Sequence, residues 1–164
     1  AAGSGPSAYL NGVSARDVDL TATLSYDKPG TGGGAYTSFI VRANGTSDYR
    51  TTIRMTATAV TADLRRKVAG AETVLGTATI PGGALAANQS LNIRLQAVGA
   101  NATTLRVKVW RTGTAEPTAW TLSFSDSSAG LQQAGSVGIY SYLSGSATNG
   151  PIKAQFGVLS VTPA

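Results

Sequence analysis

Hydrophobic and polar residues alternate with a period of two through nearly the whole chain, and Gly, Pro and Asn break the pattern at short intervals. Val18, Leu20, Ala22 and Leu24 interleave with Asp19, Thr21, Thr23 and Ser25. This is the pattern of a strand with one face buried and the other in water. The turn Asp27-Lys28-Pro29-Gly30 ends it. After the glycine run Gly32 to Gly34, Phe39 and Val41 share one face of a second strand, and Tyr36, Ser38, Ile40 and Arg42 share the other. Asn44-Gly45 supplies residues tolerant of positive φ for a hairpin. Ile53, Met55 and Ala57 then point inward while Arg50, Thr52, Arg54 and Thr56 point outward. Hairpins are expected near Gly70 and near Pro81-Gly82-Gly83.

A further pair sets Leu91, Ile93, Leu95 and Ala97 against Leu105, Val107 and Val109, with Arg94, Gln96, Arg106 and Lys108 outward. Late strands hold Trp120, Leu122 and Phe124, then Val137, Ile139 and Tyr140, and a closing strand runs from Ile152 to Val161. The pattern predicts about eleven short strands and almost no helix, hence an all-β, two-sheet antiparallel sandwich of the jelly-roll kind filling residues 1–164 as one domain.

Composition narrows the chemistry. Charged residues are 13% of the chain, about half the usual share, so Thr, Ser, Asn and Gly must carry the wet faces. No apolar run approaches the roughly 18 to 20 residues of a membrane-spanning helix, so no membrane partner is expected, and an export signal for an extracellular protein would lie upstream of residue 1. There is no cysteine and no histidine. The missing histidine removes Ser-His-Asp hydrolysis and the usual zinc sites. Glycoside hydrolysis needs two facing carboxylates, yet the only glutamates, Glu72 and Glu116, both sit beside turns. A tyrosine base of lyase type would have to come from Tyr36, Tyr49, Tyr140 or Tyr142. The chain is therefore read as non-enzymatic, with the lyase as a third reading.

No cofactor is expected. A structural calcium ion is left open without assigned ligands; Asp17 and Asp19 are the one close acidic pair. Alternation places Arg50, Arg54, Arg65, Lys67, Arg94, Arg106 and Lys108 outward, and if their strands were neighbours they would form a basic face suited to carboxylated or sulfated glycans. Arg66 breaks the pattern and requires a bulge or a strand end. A net charge of +5 also fits nucleic acid, but no aromatic residues interleave with the basic ones and no nucleic-acid motif is present, so that partner is set aside.

The segment GAYTSFIVRANGTSDYR (Gly34 to Arg50), and more strongly VKVWRTGTAEPTAW (Val107 to Trp120), resembles the concanavalin A-like, laminin-G-like jelly rolls appended to secreted actinobacterial proteins, many of them carbohydrate-active. GSVGIYSYLSGSATNGPIKAQFGVLSV (Gly135 to Val161) is similar to the last two strands of such modules. The Trp-to-Trp stretch marks fold and family; its structural reading puts Trp120 in the core and Glu116 on turn amides. The family usually has a further stretch upstream of the part beginning here at Ala1, so the chain is either a shorter variant or begins inside the domain; in the second case a sheet edge would be open to the missing segment or to another chain.

The resemblance implies a non-catalytic, extracellular carbohydrate-binding or accessory module of a polysaccharide-active protein, which charge biases toward an acidic glycan. The alternative is a structural or adhesive domain for spacing or protein pairing. Tyr36, Arg42, Arg54, Tyr140 and Tyr142 are the candidate ligand contacts.

Overall fold

A computed structural model describes residues 1–164 and contains two antiparallel sheets. The strands are β1 (Ser7–Ala15), β2 (Val18–Tyr26), β3 (Ala35–Asn44), β4 (Ser47–Met55), β5 (Val60–Val68), β6 (Ala71–Ile80), β7 (Ser90–Val98), β8 (Thr103–Arg111), β9 (Leu122–Asp126), β10 (Gly135–Leu143) and β11 (Ala154–Pro163). One sheet has the order β1-β10-β3-β4-β5-β6 and the other β11-β2-β7-β8-β9. The fold is thus the expected all-β jelly-roll sandwich. Its single helical element is a 3-10 turn at Ala129–Leu131, and no helix is long and apolar enough to cross a membrane.

The inward set of every central strand meets its counterpart across the sandwich. Leu20 and Leu24 of β2, Leu91, Ile93 and Leu95 of β7, and Leu105 and Val107 of β8 face Phe39 and Val41 of β3, Ile53 of β4 and Leu64 of β5 in one buried cluster. Burying such side chains contributes about 1.5 to 3 kcal/mol each. No buried side-chain nitrogen or oxygen lacks a hydrogen-bond partner.

Two placements correct the sequence reading. Arg42 does not face outward with Tyr36. Both neighbours of β3 shift register near it, at Val41/Asn44 and at Ser136/Gly138, and Arg42 itself takes φ +51°. This bulge turns the side chain inward, where it is 0% exposed. Trp120 is not in the core: it precedes β9 and lies against the outward side chains of β8.

Arg66 does point inward, as alternation requires, because it pairs with core-facing Tyr49. The bulge beside it falls on β6, where the register shifts between Gly76 and Val74. At the sandwich rim its guanidinium donates to Asp126 (2.6 Å) and Ser128 (3.0 Å).

Candidate functional site

The outward face of the six-stranded sheet gathers four of the five candidate residues. Tyr142 of β10 pairs with Tyr36 of β3, and Tyr36 pairs with Arg54 of β4, so the three stand in one cross-strand row. Tyr140 opens the next row, which continues through Ser38, Thr52 and Asp63. The Tyr36 and Tyr142 rings lie 5.8 Å apart, tilted by 54°, and Tyr140 stacks beside Tyr142 at 6.4 Å. The Arg54 guanidinium sits 5.5 Å from the Tyr36 ring centroid and donates through Nε to the Gly33 carbonyl (2.8 Å). Cation–π attraction and this hydrogen bond fix Tyr36 and Arg54 against each other.

The glycine run now has a purpose. Gly34 takes φ +89°, and a Cβ there would lie 2.3 Å from the Met55 carbonyl oxygen. Only glycine allows that approach, and through it the loop meets Arg54.

Beside the tyrosines is a hollow of about 250 Å3. Ser38 and Thr52, hydrogen-bonded to each other at 2.8 Å, form its base. Tyr36, Tyr140 and Tyr142 line one side; Arg50, Arg65 and Glu72 line the other. Arg50 is paired with Asp48 and reaches Glu72 (3.2 Å), while Arg65 is paired with Asp63 and also reaches Glu72. Thr77 closes the chain by donating to Asp63 (2.7 Å). Burial works against the charge of both arginines, but hydrogen bonds from Arg50 to Asp48 and from Arg65 to Asp63 and Glu72 outweigh it and raise both pKa values. Tyr9 of β1 adds an aromatic edge: it is 42% exposed and lies over Gly138, where a Cβ would come within 2.5 Å of its ring.

Sequence reasoning does not bring Tyr9 or Glu72 to this site. Glu72 reads as a turn residue, and Tyr9 lies on a strand with no alternation to reveal it. Arg42, by contrast, leaves the candidate set. Its guanidinium donates to the carbonyls of Arg16, Gly99 and Leu131 and to Thr103 Oγ1, and lies 3.5 Å from Asp17. Burial lowers its pKa, and Asp17 opposes that shift.

The single basic face is not assembled either. Arg50, Arg54, Arg65 and Lys67 lie on β4 and β5 of one sheet, whereas Arg94, Arg106 and Lys108 lie on β7 and β8 of the other. Two of the second group are matched by acids: Arg94 pairs with Asp19 (2.6 Å), and both Arg94 (3.1 Å) and Lys108 (2.9 Å) reach Glu116, while Arg106 donates to Gln96 Oε1 (2.9 Å). Glu116 therefore caps no turn amides; the hydrogen bond from Lys108, above all, holds its pKa below the ordinary range. For Asp19, burial pushes upward, but hydrogen bonds from Arg94 and Gln96 bring the pKa below its usual value.

Tyr49, one of the four tyrosines considered as a base, is buried and donates its hydroxyl to Asp126 (2.7 Å). Burial first, and that hydrogen bond next, push its pKa up to about 12, so it cannot serve as a base near neutrality. Of the one close acidic pair, Asp17 accepts from Gly99 N (2.7 Å) and Asp19 is tied to Arg94. No three carboxylates come together where a metal ion could be held.

No protein-family model matches the sequence. None of the curated proteins matches it closely enough to count as a relative. Solved structures do match. The carbohydrate binding module CBM66 from Bacillus subtilis has a TM-score of 0.63 at 14% identity, over 96% of this chain and 83% of that one. The GH43 protein BlXynB from Bacillus licheniformis gives 0.61 at 9% identity over 92% of this chain, which spans only 28% of that protein. A tetrameric galectin from the ball sponge Cinachyrella sp. gives 0.53 at 14% identity, over 95% of this chain and 99% of that one. At these identities the shared property is the fold alone, a two-sheet antiparallel jelly-roll sandwich.

Proposed function

We propose that the chain is a non-catalytic carbohydrate-binding module and that its ligand lies across the tyrosine row of the six-stranded sheet. The observation that carries this reading is the alignment of Tyr142, Tyr36 and Arg54 on three adjacent strands beside a polar hollow. Flat aromatic rings suit the apolar face of a pyranose, and a fixed guanidinium and carboxylate suit its ring hydroxyls. The Bacillus subtilis neighbour is a carbohydrate binding module and another neighbour is a galectin, and both support the same class of ligand. A polysaccharide ligand would place the module outside the cell, as part of a secreted polysaccharide-active protein.

Beside the tyrosine row the acidic bias rests on one residue. Arg50 and Arg65 are engaged by Asp48, Asp63 and Glu72, whereas Arg54 has no carboxylate partner. A uronate carboxylate would be taken by Arg54, through the fork geometry that guanidinium offers. Retention on neutral and uronic polymers at low and moderate salt tests both parts. Binding is expected at both salts and is expected to weaken about tenfold in Tyr36→Ala, a loss of about 1.4 kcal/mol. Salt sensitivity should be confined to uronic polymers and vanish in Arg54→Ala. Failure to retain any polymer at either salt refutes the reading.

The alternative, an adhesive or spacing domain, draws on the outer strands β1 and β11, where Leu10 (51% exposed) and Val158 (71% exposed) meet water. Both strands carry a register shift, at Leu10/Ala15 and at Phe156/Leu159, and bulges of this kind guard edges against pairing. A monomeric mass at high concentration would remove the pairing alternative. For the lyase, incubation with uronic polymers should give no rise in unsaturated-product absorbance.

A further inference from the structure

Trp110 and Trp120 are the only tryptophans of the chain, and both line a groove of about 550 Å3 where the end of β6 meets β8 and the 112–121 loop. The tyrosine row lies elsewhere, on β10, β3 and β4, with β5 between it and β6. Trp120 is held in place from the sheet side: Arg106, Lys108 and Arg94 lie 4.4, 4.9 and 6.0 Å from its ring centroid. Three cations sharing one indole, two of them also joined to Glu116, fix the ring without needing the core.

The one charge in the groove is built into its wall. Arg111 is its one ionised lining residue, and its guanidinium donates to the carbonyls of Pro81 (3.0 Å), Gly83 (2.8 Å) and Ala84 (3.3 Å). Gly82 takes φ +98°, and a Cβ there would collide with Arg111 Nε at 2.6 Å, so the wall is built around this clamp. What remains is aromatic and proline surface with the hydroxyls of Thr114 and Thr121 at its margin.

β9 accompanies β8 only as far as Val107, and Thr121 Oγ1 already takes the Val109 amide. The bare β8 edge is therefore too short for an added peptide strand, which needs a ladder of backbone bonds. A ligand with a flat apolar face and a few hydroxyls fits this aromatic and proline surface better than a strand does.

We propose that this groove is a second glycan-binding site, which takes a neutral sugar ring against the tryptophans. The choice of ligand class rests on the carbohydrate reading given above; the groove does not. With two sites on separate parts of the sandwich, the module would bridge two chains or two stretches of one chain, raising its avidity without new contacts.

Intrinsic tryptophan emission reports this groove alone, because both tryptophans line it. Titration of the intact protein with neutral gluco-, manno-, xylo- and galacto-oligosaccharides should give a saturable emission change with at least one of them. The change should persist in Tyr36→Ala and weaken about tenfold in Trp110→Ala, where Trp120 still reports. Trp110→Phe should restore most of the affinity, which a loss of folding would not allow. Emission that stays unchanged with every sugar overturns the proposal, even if polymer retention through the tyrosine row is intact. A response that disappears in Tyr36→Ala also overturns it, since one site then accounts for both. A response to extended proline-rich peptides and not to sugars would assign the groove to a protein partner instead.

Discussion

A guanidinium buried without water must find an acceptor for each of its donors, and Arg42 finds three backbone carbonyls, a threonine hydroxyl and a nearby carboxylate. It ties the β1–β2 connection, the β7–β8 connection and the 3-10 turn to one point. Replacing it by Ala leaves those acceptors unsatisfied in the interior, and the expected loss is about 3 kcal/mol or more in denaturant unfolding. The same substitution should leave glycan affinity of the folded protein unchanged, because Arg42 lies away from the tyrosine row. Tyr49 is a smaller case of the same kind: Tyr49→Phe removes the donor to Asp126 and an acceptor for Gln132, at a cost of about 1 to 2 kcal/mol.

Between β3 and its neighbours, position matters more than residue type. Gly34→Ala would place a methyl group against the Met55 carbonyl at positive φ. Unfolding should show a loss of about 1 to 3 kcal/mol, and the loop that carries Gly33 should shift away from Arg54, weakening binding as well as stability.

How far the sequence discloses the structure depends on the element. β2, β7 and β8 are plain in it, because each has one face in the core and one in water, and period two follows directly. β1 is not, since it lies at the sheet edge with nearly every residue exposed, so neither face is marked. Tyr36, Arg54, Tyr140 and Tyr142 can be placed outward from alternation, but that they meet depends on the pairing order β10-β3-β4, which no local pattern encodes. Arg42 is misjudged because a bulge changes side-chain direction without changing residue type. Trp120 is misjudged because three cations hold the half-buried indole on the outside of the sheet, where a core position would otherwise be assumed for it.

Across the whole molecule, almost every carboxylate is matched to a cation or an amide, which makes stability depend on pH in one direction. Hydrogen bonds from Arg16 to Asp17 and from Lys108 to Glu116 lower those two pKa values. In Asp19 and Asp126 burial acts upward but donors, including Arg94 and the Tyr49 hydroxyl, prevail. A group depressed on folding stabilises above its unfolded value, 3.8 for Asp and 4.5 for Glu, and loses that contribution as pH falls through the folded value. The melting temperature should therefore be nearly flat between about pH 5 and pH 8 and drop below about pH 4.

The same pairing means that the net charge of +5 is spread over two faces and does not collect in one basic patch. On the carbohydrate reading proposed above, recognition then falls to aromatic surface. The most direct test is affinity electrophoresis of the wild type and of Tyr36→Ala and Tyr142→Ala in gels containing neutral or uronic polysaccharide. Retardation of the wild type by at least one polymer, about tenfold weaker in both variants with their melting temperatures preserved, is the predicted result; no retardation by any polymer, or retardation equal in wild type and variants, would contradict it.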